Sequence, residues 1–497
     1  IYTALPQCGA FLKAISDESV RHVFLGGLLA SSAPVFFSAV TERLNGKKDS
    51  KLKTQNCAES AQQFKTQNSK LKTLTAVFVL QDNDEAGYFY HDLTQILGTD
   101  DVLFFPSSYR RAVKYGQRDA ANEILRTETL SRLAALTSVD TQKASTGKGA
   151  GKNADSAAEA LYVVTCPEAL SELVVSKQRL DERTLSLQVG QTVDIVEAEN
   201  TLLSFGFQRV DYVYEPGQFA ARGSILDVYS YSSEWPYRID FFGDEIDTIR
   251  TFTVEDQLSK EKKTKIEIVP ELSTMAEEKM PLTSFLPSDA LIAVKDLSYV
   301  CDTIARIYDE GFTQQALAER LEGATEMEQK AIMQAMSRDS QLVSGTHIKE
   351  GIAAFRRIEF GHQPLGTPQL TLSFDITPQP LFHKNFDLLT RSLADYVLMG
   401  YKLYILADSE KQTRRLRDIF DSDEVKTKGE DLPFTPINHT LHEGFADNTV
   451  KACFFTDHQI FDRFHKYSLR SDTARAGKMA LTMKELLEME PGDFIVH

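Results

Sequence analysis

The chain has 497 residues, 42% of them hydrophobic and 25% charged, with a formal net charge of −16. That length calls for about three or four cores rather than one, and the composition is that of a globular protein, with no run of the roughly 18 uninterrupted apolar residues that a membrane helix needs. The acidic balance repels phosphate, so tight nucleic-acid binding would need a strong local basic stripe.

Five cysteines, at 8, 57, 166, 301 and 453, show no C-x-x-C spacing. Neither a disulfide framework nor a zinc site is expected, and the compartment should be the reducing cytoplasm, with no membrane. The chain opens on Ile1 without a charged leader, and "LTMKELLEMEPGDFIVH" at its end stops on an unpartnered strand. It reads as a piece of a longer protein.

From 1 to 185, apolar runs of strand length ("HVFLG", "TAVFVLQ", "VLFFP", "LYVVTC") alternate with helical segments such as "NDEAGYFYHDLTQIL". Repeated βα units indicate an α/β domain with a mostly parallel, doubly wound sheet. Polar, low-complexity stretches at 45–73 and 138–157 read as mobile insertions. From 186 to 270 the period changes to two, with strands at 209–215, 217–222, 224–229, 237–242 and 246–252 forming an inserted antiparallel domain. Helix returns over 271–365 and completes the first module. A small α/β domain is expected over 366–470, opening on the strand "QLTLSF", and 471–497 read as a linker and the start of a further domain.

Strand, glycine turn and helix is also the layout of a P-loop. Starting at Gly27, "GLLASSAP" puts Ser32 where the second glycine belongs, Ala33 where the lysine belongs and Pro34 where the magnesium-binding hydroxyl belongs. The strand that should end in Asp-Glu is best matched by "ALIAVKDL", which offers Lys295 and Asp296; a lysine there repels the metal. Both losses point to a motor-like fold without motor chemistry. "SYRRAVKYGQR" and "KQTRRLRDIF" read as solvated faces, and His458 and His465, seven apart, as structural. No catalytic residue and no metal site emerges.

In "PYRIDFFGDE" alternation puts Tyr237, Ile239 and Phe241 on a core face, and Arg238, Asp240 and Phe242 on the other. A large aromatic beside arginines, Arg222 among them, is the composition of a protein-binding hot spot. The alternative is that both arginines pair with Asp227, Asp240 or Asp244 and that Phe242 is covered by a neighbouring domain.

The stretch "EPGQFAARGSILDVYSYSSEWPYRIDFFGDEIDTIRTF" closely resembles the second domain of the bacterial transcription-repair coupling factor family, whose first module is UvrB-like. "EGFADNTVKACFFTDHQIFDRFHKY" and "LLEMEPGDFIVH" resemble later parts of that family in order, so the resemblance covers nearly the whole chain outside the two insertions. It implies a UvrB-like module that has lost ATP binding and therefore needs no cofactor, with ATP and magnesium belonging to a motor beyond His497. The resemblance also implies recruitment of UvrA through Arg222, Arg238 and Phe242, and an autoinhibitory contact of the same surface with the protein's own C-terminal region. RNA polymerase and DNA are implied as partners of the complete protein. Two other readings stand beside it: an active UvrB-like ATP-dependent helicase, and a purely structural scaffold.

Overall fold

The computed structural model describes residues 1–45, 74–98, 101–110, 112–145, 160–272, 279–321, 325, 329–330, 332–333, 337–420, 433–467 and 469. Nearly all of the 45–73 stretch, the later part of 138–157, parts of 322–336 within the helical region expected over 271–365, and 471–497 lie outside them.

Seven parallel strands make the main sheet: β1 (His22–Gly26), β2 (Thr75–Val79), β3 (Val102–Phe105), β4 (Leu161–Thr165), β15 (Leu291–Lys295), β16 (Arg356–Gly361) and β17 (Leu370–Ser373), in the order β17-β1-β16-β15-β2-β4-β3. Strands β2, β3 and β4 are buried at every position, as expected of a parallel sheet covered on both faces. Phe11, Phe36, Phe89, Leu93, Val300 and Ile348 from the flanking helices complete that core. The Asn83–Leu97 helix starts where Asp82 accepts a hydrogen bond from the Glu85 amide at 2.8 Å, which satisfies one of the unpaired amides of its first turn.

Between β4 and β15 the chain leaves the sheet and builds an insertion. Its base is two antiparallel pairs, β5 (Leu173–Val175) with β14 (Lys279–Pro281) and β6 (Leu185–Gln188) with β13 (Lys265–Ile268). Above them lies a six-stranded sheet in the order β12-β11-β10-β9-β8-β7. It comprises β7 (Gln208–Arg209), β8 (Gln218–Arg222), β9 (Ile225–Val228), β10 (Tyr237–Phe242), β11 (Glu245–Phe252) and β12 (Ser259–Lys263). Phe219, Leu226, Ile239, Phe241 and Ile249 on one face pack with Leu202 of the Ile195–Ser204 helix. On the other face Ala220 and Phe252 meet Ile124 of the Ala120–Ser145 helix, which seats the insertion on the first module.

A third sheet, β18-β21-β22-β19-β20, is built from β18 (Ile376–Pro378), β19 (Lys402–Leu406), β20 (Phe434–Ile437), β21 (Phe445–Asp447) and β22 (Ala452–Thr456). Leu406, Leu441 and Phe445 belong to the first module's core, so the two bodies share apolar packing. The fold is multidomain α/β, and among the described residues no helix is long and apolar enough to cross a membrane.

Four local expectations differ from the structure. The strand "QLTLSF" pairs in parallel with β1 and closes the edge of the main sheet instead of opening the third one. Strand 209–215 shrinks to Gln208–Arg209 and runs parallel to β8. Strands β12 and β13 were not anticipated, because "SKEKK" is exposed throughout and "KIEI" is too short to show its period. The Ala120–Ser145 helix runs into the stretch expected to be a mobile insertion from 138.

Candidate functional site: an arginine pair and an exposed phenylalanine on the inserted sheet

Cross-strand register puts Arg222 opposite Ile225, Asp227 opposite Ala220 and Arg238, and Asp240 opposite Thr248. Residues directly opposite in an antiparallel pair share a face, so these side chains stand together, away from the Leu202 helix. Asp227 has 0% of its side chain exposed. Arg238 grips it side-on, Nε to Oδ1 at 2.7 Å and Nη2 to Oδ2 at 2.9 Å, and Nη1 donates to the Gln257 carbonyl at 3.1 Å. These bonds hold the Arg238 guanidinium above its already high pKa. Arg222 donates to the same Oδ2 through Nη2 and to the Asp211 carbonyl through Nη1 at 3.2 Å. An aromatic ring lies under each guanidinium, Tyr212 at 4.8 Å from Arg222 and Phe252 at 4.5 Å from Arg238. The alternative of arginines paired with Asp227 is thus the one the structure takes, while Asp240 holds Arg250.

Phe242 does not follow that alternative. A register shift between Asp240 and Phe241 pairs Phe241 with Ile246 and Phe242 with Glu245, just before the Gly243 turn, where φ is +64°. Phe241 goes into the core and Phe242 stands 83% exposed. Arg238 is 16% exposed and Arg222 36%. The structure therefore offers a largely exposed ring, a partly exposed arginine on the same sheet and a second arginine mostly committed to the fold.

The family model described as the UvrB interaction domain matches residues 185–273, which brackets this sheet. The chain is 28% identical over 302 residues to the transcription-repair-coupling factor of Bacillus subtilis (strain 168), covering 60% of this chain and 21% of that protein. It is 38% identical over 101 residues to the factor of Escherichia coli (strain K12), covering 20% and 9%, respectively. Over 397 residues it is 21% identical to the factor of Staphylococcus aureus (strain bovine RF122 / ET3-1), covering 68% and 33%. The chain is thus similar to transcription-repair-coupling factors over much of its length. It spans between about a tenth and a third of the length of these relatives.

The turn after β1 is closed by the protein's own chain. Gly27, at φ +87°, lies so close to Phe374 that a Cβ would sit 2.1 Å from that residue's carbonyl oxygen. Ser32 heads the following helix with its hydroxyl on the Leu29 carbonyl at 2.6 Å, and Ala33 is buried behind it. Pro34 occupies the same first turn, where a missing N–H does no harm. A loop of the third body then lies across the turn: the Glu443 amide donates to Ser31 Oγ at 2.9 Å and the His442 amide to Asp92 Oδ1 at 2.7 Å. Burial pushes the Asp92 carboxyl up to about 7, although Ser31 and the His442 amide pull the other way.

Lys295 and Asp296 sit at the end of β15, separated from β1 by β16. Lys295 forms an ion pair with Glu85 and lies close enough to Glu443 to favour its charge, against the burial that raises its pKa. Asp296 accepts from Gln81 Nε2 at 2.6 Å and from the His362 amide at 2.7 Å. Glu443 thus links the two ends of the motor-like site, and both Lys295 and Asp296 have partners within the protein. Of the basic clusters, Lys114 pairs with Glu310, and Arg415 and Arg417 lie over Phe461 and Phe434.

Sequence reading noted His458 and His465 but missed that His91 and His442 join them. The His458 and His465 rings stack at 4.6 Å, His91 meets His465 at 5.0 Å, and His442 stacks on Tyr88 at 3.5 Å. No local signal could show this, since His91 is hundreds of residues away from His442, His458 and His465. Gly87 was the nearest hint: it is helical, and a Cβ there would come 2.3 Å from the Tyr467 ring that crosses it. Among the described residues no group of three such side chains could hold a metal. Burial first, and then the neighbouring imidazoles, push His91, His442 and His458 down to about 4. Their folded pKa lies below the unfolded value, so their contribution to stability is complete above about pH 6.5 and is lost as pH falls towards 4. Asp92 acts in the opposite sense, losing its contribution as pH rises through about 7. An NMR titration of the chain is expected to find the three rings neutral until pH approaches about 4. Ring titration near the unperturbed value of about 6.5 would contradict the buried seam.

Proposed function

We propose that this chain is the part of a transcription-repair coupling factor that recruits UvrA, and that it does so through the exposed face of the inserted sheet. The observation that carries the reading is Phe242, a large ring with 83% of its surface in water inside the segment matched by the UvrB interaction domain. Isolated apolar residues on a surface are common, but a largely exposed aromatic on the same sheet as a partly exposed arginine has the composition of the few central residues that dominate interface energies. Arg222 and Arg238 are the polar members of that patch. In this reading the same face meets the protein's own C-terminal region when recruitment is off. RNA polymerase and DNA engage other parts of a longer cytoplasmic protein, whose ATP-dependent translocase lies elsewhere.

The arginine geometry decides which variant is informative. Removing Arg238 leaves the Asp227 carboxylate buried with half its partners, a change that costs on the order of 3–5 kcal/mol of stability whatever the face binds. Removing Phe242 takes away almost no buried contact. Calorimetric titration of the chain with UvrA of its source organism should therefore show binding that weakens at least about tenfold, on the order of 1.4 kcal/mol, in Phe242→Ala, with an unchanged melting temperature. Unaltered affinity in that variant would favour the scaffold reading, which accounts for the Arg238 pair but gives Phe242 nothing to do.

The turn after β1 is proposed not to bind nucleotide. The substitutions at Ser32, Ala33 and Pro34 remove the usual phosphate and magnesium groups, and the 441–444 loop occupies the approach. Millimolar ATP with magnesium is expected to leave the melting temperature where it is, since a ligand raises stability only if it binds the folded state. A clear upward shift would support the helicase reading instead.

A further inference from the structure

We propose that Asp227 is the positioning residue of the recruitment face, a single buried carboxylate that presets both arginines for the partner. The inference rests on the reading of this face as the UvrA site, and it adds a residue that makes no outward contact of its own.

Three observations carry it. Asp227 is fully shut off from solvent and still accepts bonds from two guanidinium groups on two different strands, β8 and β10. Its Oδ2 is shared: Arg222 Nη2 and Arg238 Nη2 both donate to it. Each guanidinium also lies over a ring, Tyr212 or Phe252, so the bond to Asp227 and the ring contact together restrict its rotation. Two like charges this close would otherwise repel, and long flexible side chains would spread over many rotamers. A carboxylate on the inner edge removes both problems while the outer N–H groups of Arg222 stay directed to solvent, consistent with its greater exposure. The pair then presents about one net positive charge, held in place by Asp227, on the sheet that carries the exposed Phe242 ring. Part of the entropic cost of ordering these side chains is met on folding rather than on binding, which is how preorganised surfaces gain affinity.

Asparagine at 227 is the incisive change because it keeps the shape. Its amide offers one accepting oxygen; with that oxygen in the shared place the NH2 group faces Arg238 Nε–H, so that bond is lost and the two guanidinium groups are left without a counter-charge. UvrA binding by the chain is expected to fall tenfold or more in Asp227→Asn. In the Arg222→Ala background the same change is expected to cost less than about threefold, because most of what it disorders is already gone. A buried residue with a purely structural role would cost the same in both backgrounds, and that equality, or undiminished binding in Asp227→Asn, overturns the proposal. Arg222→Lys gives a second test that leaves Asp227 and its two bonds from Arg238 in place. It keeps the charge but not the planar fork, and is expected to weaken binding with an unchanged melting temperature; full affinity would show that charge without positioning suffices.

The free chain supplies a readout that needs no partner. The Arg238 Nε–H signal should be protected from solvent exchange in the wild type and lose that protection in Asp227→Asn; equal protection in both overturns the positioning role. Absence of UvrA binding by the wild type would instead overturn the recruitment reading, and the Nε–H signal would still judge Asp227.

Discussion

A carboxylate removed from water has to be paired, and in the inserted sheet that requirement organises everything around it. Asp227 sits in the middle of a three-strand contact, between Ala220 on β8 and Arg238 on β10. Its two oxygens hold Arg238, and Oδ2 holds Arg222 as well. The arginines in turn lie over Tyr212 and Phe252, and Phe252 belongs to the small apolar cluster that seats the insertion on the first module through Ile124. Packing between bodies, sheet register and the candidate binding face are therefore coupled through one side chain. Phe242 is the member left out of this arrangement, and its exposure is what makes the face look unfinished without a partner.

The motor-like site and the inserted sheet show opposite treatments of a surface. At the turn after β1, groups that could have met a ligand are met by the protein itself: Ser31 and Asp92 by the 441–444 loop, Lys295 by Glu85, and Asp296 by Gln81 and His362. Buried polar groups are satisfied from within, and the third body is held against the first by that loop, by the histidine seam and by shared core residues such as Phe445. On the inserted sheet the polar groups are also paired, but a large apolar ring is not. What sets the inserted sheet apart is the unburied aromatic.

Much of this was legible in the sequence. Continuous apolar runs such as "TAVFV" announced buried parallel strands, and strict alternation in "YRIDFF" separated Ile239 and Phe241 from Arg238 and Phe242. What alternation cannot supply is a partner. Period two assigns a side chain to a face, but whether Arg238 reaches outward or turns onto Asp227 depends on the neighbouring strand. The register shift that leaves Phe242 beside the turn likewise depends on the β10–β11 pairing. The edge strand Leu370–Ser373 was attributed to the wrong sheet for the same reason: a short apolar run is compatible with either, and only its pairing with β1 distinguishes them. Contacts over hundreds of residues, such as His91 with His465 or Ser31 with Glu443, have no local signature at all.

The central claim is that Phe242 marks the surface where UvrA docks. The most direct measurement places a photo-crosslinking amino acid at position 242 and, as a control, at Tyr299, an exposed position on a helix of the first module. Irradiation with UvrA of the source organism should give a covalent adduct from position 242 and none from 299. Adducts of equal yield from both positions, or none from 242 under conditions where the proteins associate, would contradict the account and move the docking surface elsewhere.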